Sequence, residues 1–181
     1  NVNVYAQLRT AQPVAVYVSG FVERPGRYAG GSNDTVLYFQ DRAGGIIADR
    51  GSYRDIKVQR KNKTIAQIDL YSFILDGGLP LSSLRDGDVI VVGPKGNSII
   101  ADGLIPQYAS YESKGNAFKG RELTRLAAPL PSVSNVSVVG TRNAVPFPVY
   151  LSLRDFAEFN LSANDRVEYL ADRPGESIMV A

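Results

Sequence analysis

The sequence predicts an α+β fold of two tandem units, each a small mixed sheet packed on one short helix. Three observations lead there. Short apolar runs with strand-like alternation are separated by turn residues, and the 181 residues include 17 Gly and 10 Pro. Each half holds one helix-like segment among several strand-like ones. The second half then repeats the plan of the first in order and spacing.

In the first half, Val14-Ala15-Val16-Tyr17-Val18 alternates as a half-buried strand does and ends at Ser19-Gly20. Phe21 to Tyr28 reads as two extended pieces around Pro25-Gly26, where a type II turn would place Gly26 at positive φ. A short helix fits Thr35 to Ala43, with Gly44-Gly45 as its stop. Ile56 and Val58 alternate with Lys57 and Gln59, Arg60-Lys61-Asn62-Lys63 turns the chain, and Ile65 to Leu70 returns as the second strand of a hairpin. A helical turn fits Ser72 to Leu75. Leu81 to Asp88 then leads into Val89-Ile90-Val91-Val92, an apolar run of the kind buried on both faces.

The second half echoes these features. Tyr111 lies eight residues after Gly103, as Tyr28 lies eight after Gly20. Leu123, Leu126 and Ala127 have helical spacing, and Pro129 ends that helix. Leu37, Ala43, Leu123, Leu126 and Ala127 are the expected buried helix residues. Val136 and Val138 stand for Ile56 and Val58, Val149 and Leu151 for Ile68 and Leu70, and Asp165 for Asp88, with a turn expected at Gly140-Thr141-Arg142-Asn143. The expected organisation is a lead-in over 1–13, a first domain over 14–96 and a second, divergent domain over 97–181.

The ordered series Val16-x-Val18-x-Gly20-x-Val22-x-x-Pro25-Gly26-x-Tyr28, Ala43-Gly44-Gly45, Ile56-x-Val58-x-Arg60, Ile68-Asp69-Leu70 and Leu84-Arg85-Asp86-Gly87-Asp88-Val89-Ile90 resembles the soluble-ligand-binding β-grasp (SLBB) domain. The second unit departs from it at Ala109-Ser110 and Ala128-Pro129-Leu130. Tandem copies are typical of Wza-like polysaccharide export proteins of the bacterial outer membrane. The resemblance therefore implies a periplasmic portion of such a protein, from capsule or exopolysaccharide export, without its export signature domain or membrane-spanning helix. It further implies polysaccharide or other export subunits as partners and a homo-oligomeric full-length protein. The opening Asn-Val-Asn-Val, with neither Met nor a signal pattern, reads as the start of a processed or excised piece.

Composition narrows the chemistry. There is no His and no Cys, which removes imidazole and thiolate metal sites and the His-dependent nucleophilic dyads and triads. No pair of carboxylates is positioned by a motif as glycoside cleavage would need. The expectation is a non-enzyme with no metal or other cofactor. Asp86-Gly87-Asp88 lacks the remaining ligands of a calcium loop and reads as a turn, and Gly93-Pro94-Lys95-Gly96 reads as a linker. No apolar run is long enough to span a membrane. The net charge of +2 and the missing helix-hairpin-helix pattern point away from nucleic acid, which leaves a DNA-uptake module as the remotest reading.

Two groups of residues stand out as candidate glycan or partner contacts. Arg54, Lys57, Arg60, Lys61 and Lys63 form a basic cluster in the first unit, whose net charge of +3 contrasts with −1 in the second. Such a cluster suits acidic sugars or a neighbouring subunit, and equally the solvated, Lys-protected edge of a sheet. Tyr108 and Tyr111 lie in a polar stretch and would suit stacking on sugar rings, although strand packing accounts for most aromatics here. The leading function is a structural and interaction module of a polysaccharide export protein. The alternative is a stand-alone soluble module that binds a glycan or another small ligand.

Overall fold

A computed structural model describes residues 12–79, 83–113 and 118–172. The expected lead-in falls mostly outside the described residues, as do Leu81 and Ser82. The chain divides into two compact units, Asn1–Lys95 and Gly96–Ala181.

The first unit runs β1 (Pro13–Gly20), β2 (Gly26–Gly31), α1 (Val36–Arg42), β3 (Gly51–Arg60), β4 (Lys63–Ile68), α2 (Leu70–Asp76) and β5 (Val89–Pro94). Its sheet has the order β2-β1-β5-β3-β4, with β1 parallel to β5 and the remaining neighbours antiparallel. The last strand is therefore inserted between the first and third. Alternation sends Val14, Val16 and Val18 of β1, Ile56 and Val58 of β3, and Ile90 and Val92 of β5 to one face. Helix α1 lays Val36, Phe39 and Gln40 into this core. The Thr35 hydroxyl accepts the Tyr38 N–H at its start, and Gly44 and Gly45 end it in left-handed conformations that a glycine adopts without strain.

The second unit runs β6 (Ser98–Gly103), β7 (Ala109–Glu112), β8 (Phe118–Lys119), α3 (Gly120–Ala127), β9 (Asn135–Arg142), β10 (Val145–Ser152), α4 (Leu153–Phe156), β11 (Asn160–Leu161) and β12 (Arg166–Leu170). The sheet order β10-β9-β12-β6-β7 reproduces that of the first unit strand for strand. A two-stranded β8–β11 sheet is added. Gly20 and Gly103 occupy the same place, at the end of the strand that runs parallel to the inserted one. Both have positive φ, and a Cβ on either would overlap the backbone of its neighbour, Val92 or Tyr169. Strand β10 keeps its eight-residue pairing with β9 although Pro146 and Pro148 lack N–H groups. Their nitrogens must therefore face the open edge, where no ladder bond is lost.

Several details differ from the sequence expectations. Gly26 is absent from the positive-φ residues and instead opens β2 opposite Val18. Val89 and Val91 are only partly covered, on the face of β5 opposite the buried Ile90 and Val92. Ala43, Leu123 and Ala127 are buried as expected, but Leu37 and Leu126 lie at the core margin, one helical step off the line facing the sheet. Phe39, which that line includes, is fully buried. The second hairpin turns at Asn143-Ala144, beyond the expected Gly140-Asn143 turn, because β9 continues to Arg142. Helix α2 extends past the Ser72–Leu75 turn at both ends, and α4 was not foreseen.

Left-handed non-glycine residues mark where the second unit carries strain. Ala128 caps α3 with φ +46°, in the place that Gly44 takes after α1, and Ala144 turns its hairpin with φ +64°. Strain relief of about 1–2 kcal/mol, partly offset by the greater freedom of unfolded glycine, should make Ala128→Gly and Ala144→Gly each stabilising by about 0.5 kcal/mol. Chemical denaturation checks this. Leu123→Ala should cost about 2–5 kcal/mol and clearly more than Leu126→Ala, because only Leu123 is enclosed on all sides.

Candidate functional site

The two hairpin tips carry the basic side chains, and each is tied to the turn that launches the inserted strand. Arg60 donates through Nε to Asp88 Oδ1 at 2.8 Å and through Nη2 to Oδ2 at 2.7 Å. Asp88 Oδ2 also accepts the Arg85 N–H at 2.8 Å. In the second unit Arg142 donates through Nη1 and Nη2 to the two oxygens of Asp165 at 2.8 and 2.7 Å, and Asp165 Oδ2 accepts the Ser162 N–H. Both aspartates are buried.

The arginines are not at equivalent positions. Val58 pairs with Ile90, and Val138 pairs with Val167, so the position matching Arg60 is Gly140. The second arginine lies two residues further along the same face of its strand. A Cβ at Gly140 would overlap the Asp165 carboxylate. Glycine leaves the room through which the displaced arginine reaches the same aspartate.

The five basic candidates of the first unit separate on this geometry. Arg54 is buried, donates through Nε to Asp69 Oδ2 at 3.2 Å and lies over the Tyr71 ring at 4.8 Å. Arg60 is committed to Asp88. Lys57 pairs with Asp55 at 3.1 Å on the outer sheet face. Lys61 and Lys63 stand exposed at the hairpin turn. The cluster thus presents three lysines, one of them partnered, rather than five free cations. Tyr108 and Tyr111 also separate. Tyr108 is 57% exposed, whereas Tyr111 packs on the second core, with its hydroxyl 3.4 Å from the Leu126 carbonyl and burial raising its pKa.

Sequence reasoning missed a cleft of about 410 Å³ on the outer face of the first sheet, lined by Pro13, Val14, Ala15, Arg27, Ala29 and Asp86. Its one signal was parity: Ala15 and Tyr17 alternate with the inward valines, so they had to face outward. Among the described residues no three acidic side chains group as a metal site would require, and no helix is long and apolar enough to cross a membrane.

For Asp88, burial favours the neutral acid, but the Arg60 hydrogen bonds and the Arg85 N–H outweigh it and hold the carboxyl below its ordinary value. Its contribution to stability is therefore full above the unfolded pKa of about 3.9 and lost as pH falls through the lower folded value. Arg60→Ala strands a buried carboxylate and should clearly lower stability at pH 7. Urea denaturation between neutral and strongly acid pH should show the native chain losing stability below about pH 4, with a shallower loss in Asp88→Asn.

No family model matches the chain. Two curated Escherichia coli proteins, each described as polysialic acid transport protein KpsD, are 35% identical to it over 180 residues, which is 99% of this chain and 32% of each relative. The chain thus spans about a third of the length of the curated relatives it matches. This similarity meets the resemblance to polysaccharide export proteins read from the residues: from end to end, the two units are homologous to one continuous third of a polysialic acid transport protein.

Proposed function

We propose that the chain is the periplasmic SLBB portion of a capsule polysaccharide export protein attached to the outer membrane. Its role is non-catalytic: it contributes to assembly of the export channel and to contact with polysaccharide or partner subunits. The observation that carries this reading is the end-to-end similarity to the polysialic acid transport protein. The fold agrees with it. Two units of one topology, with polar groups internally paired at the hairpins, suit a scaffold better than a reaction centre. The exposed positions available for contact are Lys61, Lys63 and Tyr108, whereas Lys57 is half-buried and paired with Asp55, and Arg54, Arg60 and Tyr111 maintain the fold.

The experiment is made in the longer protein, in a capsule-forming cell. Removing this segment should abolish surface polysaccharide while the rest of the protein still accumulates in the periplasm, and undiminished surface polysaccharide would refute the reading. The combined change Lys61→Glu and Lys63→Glu should reduce surface polysaccharide with little loss of stability, because both lysines are exposed and exposed charges contribute little to folding.

The isolated chain should sediment as a monomer at low micromolar concentration, with full assembly depending on the other two thirds of the protein. Surface charges such as the +3 and −1 of the two units orient an encounter more than they hold a complex. A stable high-order ring from this chain alone would place the whole assembly interface within the two units.

A further inference from the structure

We propose that the cleft on the outer face of the first sheet is a saccharide subsite that recognises a vicinal diol through Asp86 and Arg27. Three cross-strand pairs build it. Tyr17 faces Arg27, Ala15 faces Ala29, and Pro13 faces Gly31. The large pair forms a wall and the two small pairs leave a trough beside it. Arg27 lies over the Tyr17 ring at 5.9 Å and reaches across β1 towards Asp86, stopping 3.8 Å from Oδ1. Among the described residues its guanidinium makes no hydrogen bond, so its planar donors are open to a ligand. Asp86 is held from behind, since Oδ1 accepts the Ala15 N–H at 2.9 Å, and its other oxygen takes no hydrogen bond among the described residues.

This set of groups selects its ligand by chemistry. A fixed carboxylate beside an open guanidinium is neutral overall, so a bare anion gains from Arg27 but is repelled by Asp86. Two adjacent hydroxyls satisfy both groups, one donating to Asp86 and the other accepting from Arg27. The trough of Ala15, Ala29 and Pro13 offers apolar surface to the C–H face of a sugar, and Tyr17 offers a ring edge. The volume of about 410 Å³ suits one sugar residue of a longer chain.

The second unit supplies an internal control. By the strand register, Ile100 stands for Tyr17, Ser110 for Arg27, Glu112 for Ala29 and Ala163 for Asp86. The turn beneath is nevertheless the same: Gly87 and Asn164 both take positive φ and donate to the carbonyls of Ala15 and Ser98. The topology thus forms without the aromatic ring, the guanidinium or the carboxylate, so folding does not explain their convergence in the first unit.

The choice of sugars as ligand rests on the export reading, but the test is made by binding alone. Backbone amide signals of the 181-residue chain are followed by NMR during titration with a neutral glucose oligomer and, separately, with a sialic acid oligomer. Shifts centred on Ala15, Tyr17, Arg27 and Ala29 are expected. A response to the glucose oligomer assigns the diol to a sugar ring, and a response to the sialic oligomer alone assigns it to the polyhydroxy side chain of an acidic sugar. Arg27→Ser and Asp86→Ala install the residues that the second unit tolerates. Each should weaken binding about tenfold; Arg27→Ser should leave the melting temperature unchanged, whereas Asp86→Ala also removes the acceptor of the Ala15 N–H and should lower it slightly. No shift with either oligomer at about 20 mM, or equal affinity in the variants, overturns the subsite. Either result combined with intact export in the longer protein would reject the cleft and leave the export reading standing.

Discussion

A buried aspartate gripped by an arginine fixes the architecture of both units. The strand that arrives last must enter the middle of a sheet whose outer strands are already joined as hairpins. Asp88 immediately precedes β5 and Asp165 immediately precedes β12, while the arginines come from the far ends of β3 and β9. The ion pair therefore ties the start of the inserted strand to the tip of the hairpin and so sets the register between them. An unpartnered carboxylate at these positions would be buried at a cost of several kcal/mol, so a strand slipped out of register is penalised more than a slipped apolar contact would be.

The second unit shows how strong that constraint is. There the arginine has moved by two residues along the strand, which preserves its face, and a glycine has taken the vacated position. The partner, the bidentate geometry and the supporting backbone N–H all survive the move. What persists between the repeats is the interaction, not the residue that supplies it.

This explains what was legible in the sequence. Gly20 and Gly103, the inward valines and the helix stop at Gly44-Gly45 are local signals, carried by residue type and short spacing, and the repeat made the glycines that end the first strands and the inward valines visible twice. The clamp joins residues 28 and 23 positions apart and has no local signature, so Arg60 read as one more cation in a basic cluster. Tyr111 was legible as the counterpart of Tyr28, and that equivalence already implied an inward ring and a poor stacking platform. The cleft was hidden for a different reason. Tyr17, Arg27 and Asp86 come together only when β1, β2 and the turn before β5 are laid side by side.

The same comparison separates the surfaces by role. Inner faces and the arginine–aspartate clamps keep their chemistry between the units because each has a folding task. The outer faces are free of that task and have diverged, to Tyr17 and Arg27 in one unit and Ile100 and Ser110 in the other. Sheet edges are less available. At β10 the outward nitrogens of Pro146 and Pro148 present no donors to an incoming strand. At the equivalent β4 a register shift beside Val58 and Gln59 and the exposed Lys63 interrupt the ladder instead. Lateral extension of the sheets is thus discouraged at both of these edges by different means. The surfaces left open to recognition through side chains are then the outer faces and the exposed lysines of the first hairpin turn, which can change without disturbing the clamp beneath them.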